Sequence, residues 1–378
     1  MSKFQKNRIG LSVLLGLLSV WITSTGNAAP SRPQTMQRDK TEHSDESAID
    51  NLPDVFVERE WLQPMYMLTG LDNTFVAKRV DDLPASDLYR CVTTTPDPGS
   101  GESTESIRHA TRTISFQENV SEVSFVRSTL ALYDDATPLR HTRTVVLCPN
   151  SVCAVFDEVM AVSEGAYVLG PVWHLKEEAS RSLNATGIQF GKGGNRIELL
   201  SLGPDEWIQP EMVDGPAVQP SEAQCHLYCL AGRNLKEKEI ARFCTVFLPV
   251  PGQQSLPVWP FPSEGGVNGL AVVNVEGTSA IIIGSGHMGT LTDYGQMKTD
   301  AACFLAGDRD QTAFVHFVKA TTISVPADSV IQEVRLDGAV LPFGSWQFKE
   351  GRIQVKWSEP KSGVLAIVTL PLDVPNPR

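Results

Sequence analysis

The sequence predicts an all-β protein, a large antiparallel β-sandwich of supersandwich-like type with a small C-terminal sheet. Three observations point there. Short β-branched and aromatic runs such as RTISFQ, TGIQFG, NRIELLSL, ARFCTVFLPV, SAIIIGSG and TAFVHFVKATTISV recur along the chain, each bounded by Gly, Pro, Asn or Asp. No helical periodicity separates them, which favours sheets packed face to face over βαβ units. No repeat of ~20–50 residues is present, which argues against a propeller or solenoid. With 378 residues, 42% of them hydrophobic, the chain has the material for a sizeable core.

Taken in order, Lys3, Lys6 and Arg8 precede the apolar run 9–22, and Gly26-Asn27-Ala28 supplies small residues at a cleavage site. Residues 1–28 therefore read as a signal peptide, since the run is broken by Gly10, Ser12, Gly16 and Ser19 and falls short of the ~20 residues a membrane span needs. No later segment approaches a span. The expected product is exported, periplasmic or extracellular, with no membrane span after cleavage. Residues 29–51 are polar and charged and predict a disordered leader, because they hold too little apolar surface to offset the entropy of ordering.

Residues 52–325 are expected to form the antiparallel sandwich domain and 326–378 the small C-terminal β-sheet region. VFVEREWLQPMYML and TFVAKRV are its first candidate strands, followed by a surface loop, TTTPDPGSGESTES. NLKEKEIAR, at 234–242, is the one helix-like piece, with Asn234 as a possible cap. Near the end, Leu336-Asp337-Gly338-Ala339 and Lys349-Glu350-Gly351-Arg352 predict hairpin turns, because glycine accepts the positive φ such turns require.

The formal charge of −12 argues against nucleic acid as a partner, which calls for a basic footprint. A polyanionic ligand would need a local basic groove inside this acidic total. Seven cysteines in an exported chain permit up to three disulfides. Cys225-His226-x-x-Cys229 lacks a second pair at ligand spacing, so no metal site is predicted. No cofactor is predicted either: Gly284-Ser285-Gly286-His287-Met288-Gly289 follows a strand but opens no helix, and Gly-x-Ser-x-Gly and His-Glu-x-x-His are absent. His316, in TAFVHFV, reads as a solvent-facing or satisfied core residue.

The central stretch, 139–175, is LRHTRTVVLCPNSVCAVFDEVMAVSEGAYVLGPVWHL. A four-residue loop at 149–152 would place Cys148 opposite Cys153, Thr144 opposite Asp157 and Arg143 opposite Glu158. A Cys148–Cys153 disulfide follows as an expectation, since opposed strand residues fall within bridging reach. Both faces of this hairpin are apolar near the turn, as for strands held between two layers. Asp157 is the polar exception and must find donors. It could serve a site with His141 and His174, or be satisfied by Thr144 and backbone amides.

The run from about 121 to 175, with RTVVL, a short polar turn, VFDEV and VWHL, resembles the C-terminal β-sandwich of heparinase II/III-like polysaccharide lyases. RIELLSLGP, RFCTVFLPV and the later small sheet are also similar to that domain. The resemblance implies β-elimination on uronate-containing polysaccharides with Tyr and His as acid and base, and an α/α toroid upstream. Neither a toroid-like helix series nor the family's His-x-His-x-Asp stretch is visible in this sequence, and Asp97-Pro98-Gly99 and His109 are not given catalytic roles.

The function expected is therefore an exported, non-catalytic β-sandwich protein related to those lyases, binding a polysaccharide or cell-envelope glycan or serving a polysaccharide-degrading system. Trp173 and Trp207 are its candidate sugar-stacking residues. A divergent lyase is the alternative. Elimination needs a base, an acid and a group that neutralises the uronate carboxylate, and Tyr133, His141, Arg143 and His174 are the candidates. A structural envelope protein is the third possibility.

Overall fold

Alternating apolar runs need partners on both faces, and the computed structural model shows how they find them. It describes residues 75–84, 88–93, 112–132, 138–148, 152–175, 179–181, 187–192, 195–214, 225–250, 256–273, 280–295, 297–309, 312–327 and 330–370. The signal peptide, leader and first candidate strand lie outside these residues. So do Tyr133, Asp97 and His109.

The chain opens with β1 (Phe75–Val80) and a short helix α1 (Leu88–Thr93), then β2 (Arg112–Val120), β3 (Val123–Leu132), β4 (Leu139–Cys148), β5 (Val152–Ala161) and β6 (Gly165–Leu175). It continues with β7 (Ala179–Arg181), β8 (Ile188–Lys192), β9 (Asn195–Leu202), β10 (Trp207–Ile208), β11 (Glu211–Asp214), β12 (Cys225–Tyr228), β13 (Ala231–Leu235) and β14 (Ile240–Pro249). The last part carries β15 (Val258–Ser263), β16 (Gly266–Val273), β17 (Ala280–Ser285), β18 (Thr292–Asp293), β19 (Lys298–Thr299), β20 (Cys303–Arg309) and β21 (Thr312–Pro326). β22 (Val330–Leu336), β23 (Ala339–Val340), β24 (Trp346–Lys349) and β25 (Arg352–Leu370) close the described chain.

These strands build three antiparallel sheets, and the fold is all-β as expected. The first holds β1-β6-β12-β11 with β13 on β6, and the second runs β2-β3-β4-β5-β14-β9-β8-β7 with β10 on β9. The third runs β15-β16-β17-β20-β21-β25-β22-β23, with β18, β19 and β24 attached. The C-terminal hairpins extend this third sheet through the long β21–β25 pairing.

The second sheet is the middle layer, and its strands are apolar on both faces for that reason. One face packs Val145, Leu147, Val155 and Phe247 against Trp173, Leu175 and Leu227 of the first sheet. The other packs Phe125, Val146, Phe156 and Leu248 against Leu270, Ile283, Leu305 and Val318 of the third. Beyond that, the far face of the third sheet covers Phe304, Phe317, Ile353 and Leu365 with its own later strands.

Two local expectations are corrected. The 234–242 segment is no helix: β13 ends at Leu235, Lys238 turns the chain at φ 65°, and β14 starts at Ile240. A turn followed by an apolar strand wins over the isolated cap signal. The β4–β5 loop has three residues, not four, so Cys148 pairs with Val152, Leu147 with Cys153, Arg143 with Asp157 and Thr142 with Glu158. This one-residue slip sends neighbours to opposite faces. Cys153 joins the core shared with the first sheet and Cys148 packs against the core shared with the third, so the Cys148–Cys153 bridge is geometrically excluded. None of the seven cysteines is in a disulfide.

The two predicted hairpin turns form as the glycines require. Asp337 and Gly338 sit at φ 50° and 82°, and Glu350 and Gly351 at 54° and 70°, the pattern of a turn with two positive φ values.

Candidate binding cleft

His141 and Arg143 point from β4 into the core between the first and second sheets, where Asp157 on β5 lies opposite Arg143. Arg143 donates through Nε to Asp157 Oδ1 at 2.6 Å and through Nη2 to Oδ2 at 3.0 Å, while His141 Nε2 lies 2.6 Å from Oδ1. Phe75 stacks on the His141 ring at 4.4 Å, and the Arg143 guanidinium lies 5.1 Å over Trp173. Burial pushes the Asp157 carboxyl up, but Arg143 and His141 outweigh it and hold the group at about 2. With exposures of 2%, 2% and 0% for His141, Arg143 and Asp157, these charges are satisfied internally and out of reach of a polymer.

His174 is elsewhere. Alternation on β6 sends Trp173 and Leu175 to the inner face and His174 to the outer one, beside His226 of β12. The two Nδ1 atoms lie 2.6 Å apart, and burial followed by the facing ring pushes His174 down to about 4. The described part of the predicted catalytic set is thus split between opposite sides of the first sheet, His141 and Arg143 standing on the second sheet beneath it and His174 on its outer face, and all of it is buried. The sugar-stacking pair is also corrected: Trp173 is fully buried edge-on to Phe247, whereas Trp207 is half-buried against the opposite core. A pyranose cannot reach the first, and the two form no common platform. His316 takes the core alternative, its Nδ1 3.1 Å from the Val120 carbonyl oxygen.

The open chemistry lies on the other face of β3, β4, β5 and β14, where cover from the third sheet stops. There a cleft of about 290 Å³ is lined by Arg127, Thr129, Arg140, Thr142, Glu158 and His287, with Met160 and Ile240 at one end. The ladder explains the convergence: Thr129 opposes Thr142, Thr142 opposes Glu158, and Glu158 opposes Arg242. Arg242 Nε donates to Glu158 Oε1 at 2.8 Å, and His287 Nε2 reaches the same oxygen at 3.6 Å.

Arg127 fixes the far wall. Its Nη2 donates to Ser285 Oγ at 2.9 Å, the Gly286 carbonyl at 3.0 Å and the Ala302 carbonyl at 2.6 Å, while Nε donates to Thr144 Oγ1 at 2.8 Å. This anchors the glycine-rich loop that carries His287, the one exposed histidine among the described residues. Arg140 is exposed on the rim. Two guanidinium groups, those of Arg127 and Arg140, line the cleft against one carboxylate, Glu158, which Arg242 holds from outside the lining, and two threonine hydroxyls add neutral hydrogen-bonding groups.

Sequence reasoning reached Glu158 and the His287 loop but assigned neither a site role, and it missed Arg127, Arg140 and Arg242. The available signal was alternation, since Arg140 and Thr142 share one face in LRHTRT while His141 and Arg143 share the other. Only the true β4–β5 register, however, brings Thr142 into the row of Glu158 and Arg242.

No family model matches the chain, and no curated protein matches it in sequence. Among solved structures, a heparinase III matches over 45% of this chain and 26% of its own, at 18% identity and a TM-score of 0.33. The heparan sulfate lyase HepC from Pedobacter heparinus matches over 43% and 26%, at 17% identity and a TM-score of 0.34. The matched region spans about a quarter of the length of either lyase.

Proposed function

We propose that this chain is an exported β-sandwich protein that binds an acidic polysaccharide without cleaving it, through the cleft lined by Arg127, Arg140, Thr129, Thr142, Glu158 and His287. The observation that carries this is a local cationic excess in a chain whose formal charge is −12. Such a pocket is the local basic groove a carboxylated or sulfated ligand demands. The resemblance of the central strands to the lyase sandwich names the same ligand class.

The lining favours binding over elimination. Among the described residues no tyrosine lines the cleft, and Glu158 is held by Arg242. A lyase remains the second reading because Glu158 and His287 form a carboxylate–imidazole pair at the cleft surface.

Titration of the full chain with heparin, alginate and neutral dextran tests this. Acidic chains should bind and dextran should not, with Arg140→Ala weakening binding ~10-fold, about 1.4 kcal/mol. No unsaturated uronate should appear in the mixtures. Failure to bind any acidic chain would overturn the proposal; unsaturated product that is lost in His287→Ala would move the function to the lyase reading.

A further inference from the structure

We propose that Lys319 carries the arginine cleft onward as a cationic track, from Arg140 through Arg127 to the edge of β2, so that the site holds an acidic polysaccharide over several sugars. This rests on the preceding reading of the cleft and names a binding residue outside its lining. Arg127 and Lys319 both stand over the Phe116 ring, each 5.3 Å from its centroid, so their charges lie no more than twice that distance apart. Phe116 opposes Arg127 across β2 and β3, whereas Lys319 reaches the ring from β21 of the third sheet. Lys319 is half-buried, and no carboxylate among the described residues comes within ion-pair distance of its ammonium.

A break in the strand aims this lysine. Strict alternation on β21 would put residue 319 on the side of Phe317, in the far core of the third sheet. Instead the register with β25 shifts between Phe317 and Ala320, Ala320 takes the place in that core, and Lys319 adopts φ 54°. Val318 and Lys319 therefore both face the second sheet, Val318 in the shared core and Lys319 over Phe116. The surroundings hold this left-handed backbone: Lys319 N donates to Ser362 Oγ at 3.1 Å, and buried Asp300 accepts from Thr321 N at 2.9 Å and Thr322 N at 2.8 Å. The same short segment mounts the cleft. Ala302 N donates to the Val318 carbonyl at 2.9 Å, the Ala302 carbonyl accepts from Arg127 Nη2 at 2.6 Å, and the Asp300 carbonyl accepts from Gly289 N in the His287 loop at 3.4 Å. Arg127, His287 and Lys319 are thus positioned by one support, which lowers the entropy cost of binding across them.

Spacing selects the occupant. Arg140 pairs with Ala131, four residues along β3 from Arg127, which places it ~13 Å up the strand on the same face. Thr129 and Thr142 stand between them with their Oγ1 atoms 3.2 Å apart. A line of cations that starts at Arg140, passes two hydroxyls and Arg127 and ends at Lys319 outreaches a single sugar ring and suits a polymer that repeats its negative charge. Glu158 and Glu118 border this line, and Arg242 pairs with the first, so positive charge stays in excess.

The test measures the affinity of the full chain for alginate disaccharide and hexasaccharide across a salt series, in wild type, Lys319→Asn, Lys319→Arg and Arg140→Ala. Asparagine removes the charge yet accepts the left-handed backbone, and arginine keeps the charge. Lys319→Asn should bind the hexasaccharide ~5-fold more weakly, with a salt dependence shallower by about one counterion, and bind the disaccharide like wild type. Lys319→Arg should bind both like wild type, and Arg140→Ala should weaken both. In the wild-type chain the hexasaccharide, and not the disaccharide, should protect Lys319 from an amine-acylating reagent, a measurement that needs no variant to fold. Unchanged hexasaccharide affinity in Lys319→Asn, or acylation of Lys319 that the hexasaccharide does not slow, would overturn the track while a weakened Arg140→Ala left the cleft standing. An equal loss for both lengths in Lys319→Asn would also overturn it, as a general charge effect. A wild-type chain that bound neither length would bring down cleft and track together.

Discussion

Asp157 shows what a buried charge does when its partners are built in. Removing Arg143 leaves a fully buried carboxylate without the guanidinium that accounts for two of its hydrogen bonds, so Arg143→Met should destabilise the fold by ~3–5 kcal/mol, read as a lower urea midpoint. Acid should act in two steps. His174 is held at about 4 against an ordinary 6.5, so its contribution is complete above pH 6.5 and is lost as pH falls from 6.5 to 4. Asp157 is held at about 2 against 3.8, so its contribution is complete above pH 3.8 and is lost as pH falls towards 2. Thermal melts should therefore show Tm falling between pH 6.5 and 4 by ~5 °C, and His174→Asn should remove most of that first step. An unchanged pH profile in the variant would show that the facing histidines do not drive it.

At the scale of elements, turns were legible and register was not. Asp337-Gly338 and Glu350-Gly351 announced themselves because few residues tolerate consecutive positive φ values, and the strands around them alternate cleanly. The β4–β5 hairpin gave no such cue. It is apolar on both faces near its turn, so hydrophobic pattern cannot tell a three-residue loop from a four-residue one. That single step moved Asp157 from Thr144 to Arg143, parted Cys148 from Cys153 and built the row Thr142–Glu158–Arg242. The cleft was hidden for the same reason, since it assembles side chains from four strands and a distant loop. Glycines sort by this scale as well. A Cβ on Gly170 would stand 2.0 Å from the Cys229 carbonyl oxygen, where β6 passes the end of β12, whereas Gly351 has nothing within 4 Å. Gly170→Ala should cost more than ~2 kcal/mol and Gly351→Asn less than ~1, because asparagine accepts the left-handed region; paired denaturation curves check both.

Across the whole molecule, the three layers decide which groups meet solvent. A charge of −12 describes the total and hides a cationic cleft, just as the cysteine count suggested bridges that the layers keep apart. Cys153, Cys225, Cys229, Cys244 and Cys303 are buried in these layers, while Cys91 and Cys148 are half-buried. Burial pushes the Cys153 and Cys244 thiols well up, and those of Cys229 and Cys303 to about 12, so little thiolate exists at neutral pH. A chromogenic aromatic disulfide added to the native chain should therefore react with at most two thiols, those of Cys91 and Cys148, and with all seven after unfolding. Dithiothreitol should leave Tm unchanged, since no bridge supports the fold. A native count of zero that rises on reduction would require bridges, and with them a different placement of β4 and β5: in the present register Cys148 and Cys153 face separate cores, and no side-chain rotation can join them through the sheet.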